Sequence, residues 1–99
     1  MTEPNPTSQA ANVRVMIENL VKSLVDEREQ VAVGIAEKTG ETVLELQVAP
    51  RDVGKVIGKQ GRTVRAMRNL LSAAGARSNK RFGLEIIEDE LDDTQAGQT

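Results

Sequence analysis

Gly58-Lys59-Gln60-Gly61 is the stretch whose residue types and spacing could do chemistry. Glycines at both ends let the backbone turn sharply and let another backbone come close. The second glycine opens a helical pattern. The first N–H groups of a helix lack intrahelical partners and carry partial positive charge, so such a place favours phosphate. Lys59 puts a cation at the loop tip. Arg62 and Arg65 fall on the first turns of the following helix, and Lys55 lies one turn before the loop. Steps of three set Arg62, Arg65 and Arg68 along one helix flank. Taken bare, a Gly-x-x-Gly is more often a tight turn between helices, and lone surface cations are more often simply solvated.

Two other phosphate motifs fail on spacing. A P-loop needs four residues between its glycines and then Lys and Ser/Thr. Here Val53 stands at its first glycine and Gln60 at its Ser/Thr. The dinucleotide fingerprint needs a glycine where Val56 stands.

The charge around the loop is not the charge of the chain. All 99 residues carry 13 Lys+Arg and 15 Asp+Glu, a formal net of −2. Residues 50–81 hold nine of those cations and a single anion, Asp52, for a net of +8; the remainder nets −10. The average therefore hides a segment fit for a polyanion.

The absences narrow the chemistry. The chain has no His, Cys, Trp or Tyr, and Phe82 is its one aromatic. No disulfide framework, ordinary zinc site, cysteine nucleophile or Ser-His-Asp triad is available. The carboxylates show no convergent pair, so no enzyme activity, metal or cofactor is expected. One Phe cannot form an aromatic platform for stacking bases. No apolar run approaches the ~18 residues of a membrane span, and the start has no signal-peptide pattern. A cytoplasmic protein with no membrane partner is the expectation.

The elements that must position the loop read from periodicity. Val13, Ile17, Leu20 and Leu24, widened by Met16 and Val21, predict a helix over about 10–27. Val31, Val33 and Ile35 alternate, as do Leu44, Leu46 and Val48. With Lys38-Thr39-Gly40-Glu41 between them, they predict a hairpin. Pro50 stops the second strand. Val53, Val56 and Ile57 have helical spacing, and after the glycine loop Val64, Met67, Leu71 and Ala74 predict a longer helix to about 75. Phe82, Leu84 and Ile86 form a last strand. Met16, Met67 and Phe82 are expected in the core. The order is α-β-β-α-α-β, an α+β fold. Its three-stranded mixed sheet has the second strand in the middle and the helices on one face. Glu45, Gln47 and Glu85 would point away from the core.

The stretch from Val56 to Met67, set in this β-α-α-β order and in a +8 segment, resembles the signature of KH domains, whose Gly-x-x-Gly loop clamps the backbone of about four nucleotides. The element order looks like the bacterial, type II form. The run Ala49-Pro50-Arg51-Asp52-Val53-Gly54-Lys55-Val56-Ile57-Gly58-Lys59-Gln60-Gly61 is similar to what the small single-domain proteins of the KhpA family show, and the resemblance covers about residues 12–88. It implies a binder of single-stranded RNA. Gly58, Lys59, Gln60 and Gly61 would contact phosphates with Arg62, Lys55 and Arg65, the N–H groups at Gly61 and the helix start taking part. Val53, Val56, Ile57 and Val64 would wall one side of an apolar groove for bases. Leu46 of the central strand and the family's variable loop, here Arg77, Lys80 and Arg81 with the residues between them, would border the other. The resemblance further implies RNA-chaperone action, a homodimer or a complex with a KhpB-type companion, and links to cell-envelope and cell-length control. A small DNA-binding module and a protein-interaction adaptor are the alternatives from other classes.

Three segments are expected: a disordered tail at 1–9, the domain at 10–88 and an acidic disordered tail at 89–99. The acidic run from Glu88 to Asp93 reads first as solubilising. It also has the charge to fold back on the +8 segment and compete with RNA.

Overall fold

A computed structural model describes residues 6–87, with elements in the order α1 (Pro6–Lys22), β1 (Ala32–Lys38), β2 (Glu41–Gln47), α2 (Val53–Ile57), α3 (Arg62–Arg77) and β3 (Phe82–Ile86). Single 3-10 turns cover Arg28–Gln30, Pro50–Asp52 and Lys59–Gly61. Residues 1–5 and 88–99 lie outside the described residues, and with them the acidic run and most of the expected N-terminal tail.

The sheet order is β1-β2-β3, with β1 antiparallel and β3 parallel to the central β2. Val33 faces Leu46, and Leu44 faces Leu84. Alternation along β2 sends Leu44 and Leu46 inward, where both are fully buried. They meet Ile17 and Val21 of α1, Val56 of α2, and Met67 and Leu71 of α3, so the helices share one face of the sheet in a single core. Glu45, Gln47 and Glu85 lie on the other face, and Glu85 pairs there with Lys38 at 3.5 Å.

Helix α1 is displaced from its predicted span at both ends. It begins at Pro6, so residues 6–9 belong to a helix rather than a tail. A proline suits the first helical position because the N–H it lacks would have no partner there. Gln9 then anchors this end, donating from Nε2 to the Ala74 carbonyl of α3 at 2.9 Å and accepting from Ser78 Oγ. At the other end α1 stops at Lys22 rather than 27. The buried Asp52 carboxylate accepts from the N–H of Asp26 at 3.3 Å and of Glu27 at 2.9 Å, drawing the chain out of helical register. Val25 is buried as a result, and Leu24 is 37% exposed. Met16, expected in the core, is 39% exposed on α1.

Helix α3 carries the chain back along the sheet. It leaves from the end where β2 finishes and delivers the chain to Phe82, which pairs with Thr42 at the start of β2. Ser78-Asn79 ends it, and Asn79 takes φ +58. Gly75 stays inside the helix, and a β-carbon there would collide with the Lys80 carbonyl oxygen and crowd the Phe82 ring, so the position has no room for a side chain. The glycine loop therefore sits at one end of α3 and the Arg77–Arg81 segment at the other, ~24 Å apart along a helix of 16 residues.

Candidate nucleic-acid interface

The loop is a sharp reversal between α2 and α3 built on three residues with positive φ. Gly58 has φ +80 and ψ 169, Gln60 φ +57 and Gly61 φ +73. At Gly58 a β-carbon would lie 2.8 Å from the Thr63 backbone nitrogen, so this position excludes every side chain on steric grounds. At Gly61 a β-carbon would meet only Arg65, at 3.6 Å, so glycine is there for its backbone conformation.

The amides of the loop are divided between internal and free. Gly58 N–H donates to the Gly54 carbonyl at 2.8 Å, and Gly61 N–H to the Gly58 carbonyl at 3.0 Å. Arg62 N–H donates to the Lys59 carbonyl. The Gly61 amide, expected to hold phosphate, is thus occupied. The N–H groups of Lys59 and Gln60 have no partner among the described residues and lie at the exposed tip. They are the amides an anion can take.

Side chains from α3 brace this tip. Arg65 donates from Nη2 to the Gln60 carbonyl at 3.1 Å, and Arg62 from Nη2 to Gln60 Oε1 at 3.4 Å. Lys59, Arg62 and Arg65 have no carboxylate within ion-pair distance among the described residues. Arg51 and Lys55 do. Arg51 reaches Glu27 at 3.2 Å, and Lys55 reaches Asp26 at 3.4 Å and Asp52 at 3.5 Å. The Asp26 carboxylate raises the Lys55 ammonium above its ordinary pKa. Lys55 is thereby turned toward the α1–β1 connection and away from the loop, against the expectation that it serves phosphate.

Asp52 was missed as a site residue, although it is the one anion in the +8 segment. It is fully buried at the start of α2. The Glu27 N–H, then the Asp26 N–H and Lys55, hold its carboxyl below the usual range against the opposing effect of burial. This clasp fixes the helix that leads into the loop.

The expected groove residues separate by burial. Val56 and Val64 face the core, Val53 is half-buried against it, and Ile57 is 37% exposed beside the loop. Leu46 does not border a groove: it is fully buried on the central strand. The strand beside α3 is β3. Thr42 N–H donates to the Arg81 carbonyl and Ile87 N–H to the Leu46 carbonyl. This parallel ladder turns the main chain of Gly83 and Glu85 toward β2, and that of Phe82, Leu84 and Ile86 to the open edge. Arg68 reaches across and donates to the Leu84 carbonyl at 3.1 Å. Helix α3, with Arg62, Arg65 and Arg68 along it, therefore runs beside a strand whose outward main chain is open to hydrogen bonding.

Arg77, Lys80 and Arg81 are not brought to the loop. Lys80 and Arg81 line a cleft of about 310 Å³ with Glu37, Glu41 and Thr42 at the far end of α3. No helix among the described residues is long and apolar enough to cross a membrane.

The comparisons with known proteins fit this geometry. The KH-domain model of KhpA and KhpB matches residues 14–86, from within α1 to the end of β3. The RNA-binding protein KhpA of Borreliella burgdorferi is 48% identical over 73 residues, covering 74% of this chain and 89% of that protein. That of Clostridium acetobutylicum is 49% identical over 77 residues, 76% of this chain and all of the relative. That of Aquifex aeolicus is 47% identical over 73 residues, 74% of this chain and 92% of the relative. An α+β fold with a central parallel–antiparallel strand, a Gly-x-x-Gly reversal between two helices and these similarities together place the chain in the KhpA/KhpB family of KH-domain proteins.

Proposed function

We propose that this protein binds single-stranded RNA without catalysis, gripping the phosphate backbone at the Lys59–Gln60 tip and laying bases between Ile57 and the β3 edge. The observation that carries this reading is the pair of free amides at a tip flanked by cations that have no anionic partner among the described residues. That the similar KhpA proteins are RNA-binding proteins supports it. Lys59 and Arg62 supply the charge. Arg65 braces the loop and adds its field. Bases are held by aliphatic contact at Ile57 and Val53 and by hydrogen bonds to the Phe82, Leu84 and Ile86 main chain, so no aromatic platform is needed.

With about three phosphates neutralised, the logarithm of affinity should fall with the logarithm of salt at a slope of roughly −2. One such domain grips few nucleotides. Pairing with a second copy or with a KhpB-type companion would raise avidity, which fits a chaperone acting on many RNAs in the cytoplasm. Control of cell envelope and cell length would follow from those RNAs.

The test replaces Lys59 and Gln60 together by Asp. Both glycines remain, so the domain keeps its circular-dichroism spectrum, while like charge faces the phosphates. Binding to a fluorescent single-stranded RNA should fall at least ~10-fold. Retained binding rejects the clamp, and preference for duplex DNA over the RNA rejects the base contacts.

A further inference from the structure

Strand β1 forms the edge of the sheet opposite β3. The direction of its main chain follows from β2. Thr42 N–H donates to the Arg81 carbonyl, on the β3 side, so alternation turns Val43 and Glu45 toward β1. Their partners Ala36 and Gly34 turn toward β2. Val33, Ile35 and Glu37 are left with N–H and C=O groups directed to the open edge, where no backbone group among the described residues meets them.

Natural edges are commonly blunted by a proline, a bulge or a charge in mid-strand. This edge has none of these. Its pairing runs one to one from Ala32–Gln47 to Lys38–Glu41, and the stretch from Ala32 to Ala36 holds no proline or charged residue. Its side chains are unmatched as well. Ile35 lies on the helix-covered face opposite the fully buried Leu44, yet it is 41% exposed. On the other face Gly34 is bare, and Glu45 Oε1 lies 4.0 Å from where a Gly34 β-carbon would stand. The Glu45 carboxylate thus lies over Gly34, on the side away from Glu85, its neighbour on β3. Glu85 has Lys38 as a partner, whereas Glu45 has no cation within ion-pair distance among the described residues.

We propose that the β1 edge takes an extended segment of a partner protein as an added strand, one that alternates apolar and basic side chains. Its main chain bonds to Val33, Ile35 and Glu37, and its apolar residues cover Ile35. A lysine or arginine on the other face reaches Glu45 across Gly34. The same carboxylate argues against a second copy of this chain. Two β1 edges paired about the middle of the strand bring both Glu45 side chains together at the seam, where like charges repel. Because β1 and β3 are opposite edges, the partner and RNA are held at once.

The experiment titrates the full chain with a peptide of alternating lysine and valine, matched to β1 at seven residues, and with its glutamate–valine counterpart. Backbone hydrogen exchange read by NMR locates the contact. The lysine–valine peptide should slow exchange at Val33, Ile35 and Glu37 and leave Gly34 and Ala36, already bonded to β2, unchanged. Two variants separate edge from charge. Ile35→Pro removes an N–H that β2 does not use, so the circular-dichroism spectrum and RNA affinity should stay, while affinity for the peptide should fall at least ~10-fold. Glu45→Lys keeps the whole edge and decides the question even where the proline costs stability. It should bind the glutamate–valine peptide at least ~10-fold more tightly than the lysine–valine one. No binding of the lysine–valine peptide overturns the proposal, as does binding that survives Ile35→Pro or an unaltered preference in Glu45→Lys. Slowed exchange confined to residues outside β1 overturns it too. So does self-association of the chain alone that Ile35→Pro abolishes, which would assign the edge to a second copy.

Discussion

The Arg65 guanidinium donates to the Gln60 carbonyl oxygen at 3.1 Å, holding from below a residue that sits at φ +57. A left-handed conformation at a non-glycine residue costs roughly 1–2 kcal/mol and persists where its surroundings hold it. Arg65 is therefore a brace for the loop as well as a charge beside it. Arg65→Ala should weaken RNA binding by about 5–20-fold and speed hydrogen exchange at the Lys59 and Gln60 amides. Arg65→Lys retains the charge but not the planar fork, and should recover only part of the loss. Full recovery by lysine would show that the charge alone matters.

The two loop glycines should respond differently to alanine. At Gly58 a β-carbon collides with the Thr63 backbone in a region of φ and ψ nearly reserved for glycine, so Gly58→Ala should cost about 2–4 kcal/mol of stability. Gly61 has space, and only its left-handed backbone is at stake. Gly61→Ala should cost about 1–2 kcal/mol. Urea unfolding of the two variants reads the difference directly.

Asp52 predicts an acid limb in stability. Its carboxyl is held below the ordinary value by the Glu27 and Asp26 amides and by Lys55. Because the folded pKa is depressed, the stabilisation is complete above the unfolded value near ~3.9 and is lost as pH falls through the folded one. Thermal melts should therefore drop steeply below about pH 4. Asp52→Asn should flatten that drop and lower the melting temperature at pH 7 by about 5–10 °C, since the α1–β1 turn loses its charged acceptor. Lys55 behaves in the opposite sense: its raised pKa gives stability that is present below ~10.4 and lost as pH rises through the folded value.

What could be read from the sequence depended on whether a residue's role is local. Val33, Leu44, Leu46, Met67 and Leu71 follow period 2 or 3.6, and that periodicity fixes their burial, so the element order and the helix-covered sheet were legible. The turn at Gly58–Gly61 was legible because glycine spacing signals it. The end of α1 was not, since the bond that ends it comes from Asp52, 25 residues from Glu27. A one-dimensional pattern carries no trace of such a partner beyond the oddity of one anion among nine cations. Leu46 was misplaced for a related reason. Its strand was identified correctly, but which strand borders α3 depends on the sheet edge, and a central strand has none to offer.

Gly54 breaks a local rule that nothing else in the chain requires. It lies in α2 with an ordinary negative φ, is exposed, and a β-carbon there would meet no atom within 4 Å. A glycine inside a helix costs about 0.8–1 kcal/mol relative to alanine. The position is three residues before Ile57, which sets the two on one flank of α2. Bare backbone on that flank lets a ring lie close against the helix beside Ile57. Gly54→Ala should therefore raise the melting temperature by about 4–8 °C and at the same time weaken RNA binding by about 3–10-fold, with Gly54→Leu weaker still. Stability and affinity moving in opposite directions separates contact from scaffold. A variant that gains stability and binds RNA as the parent does would mean that no base approaches α2 at this point.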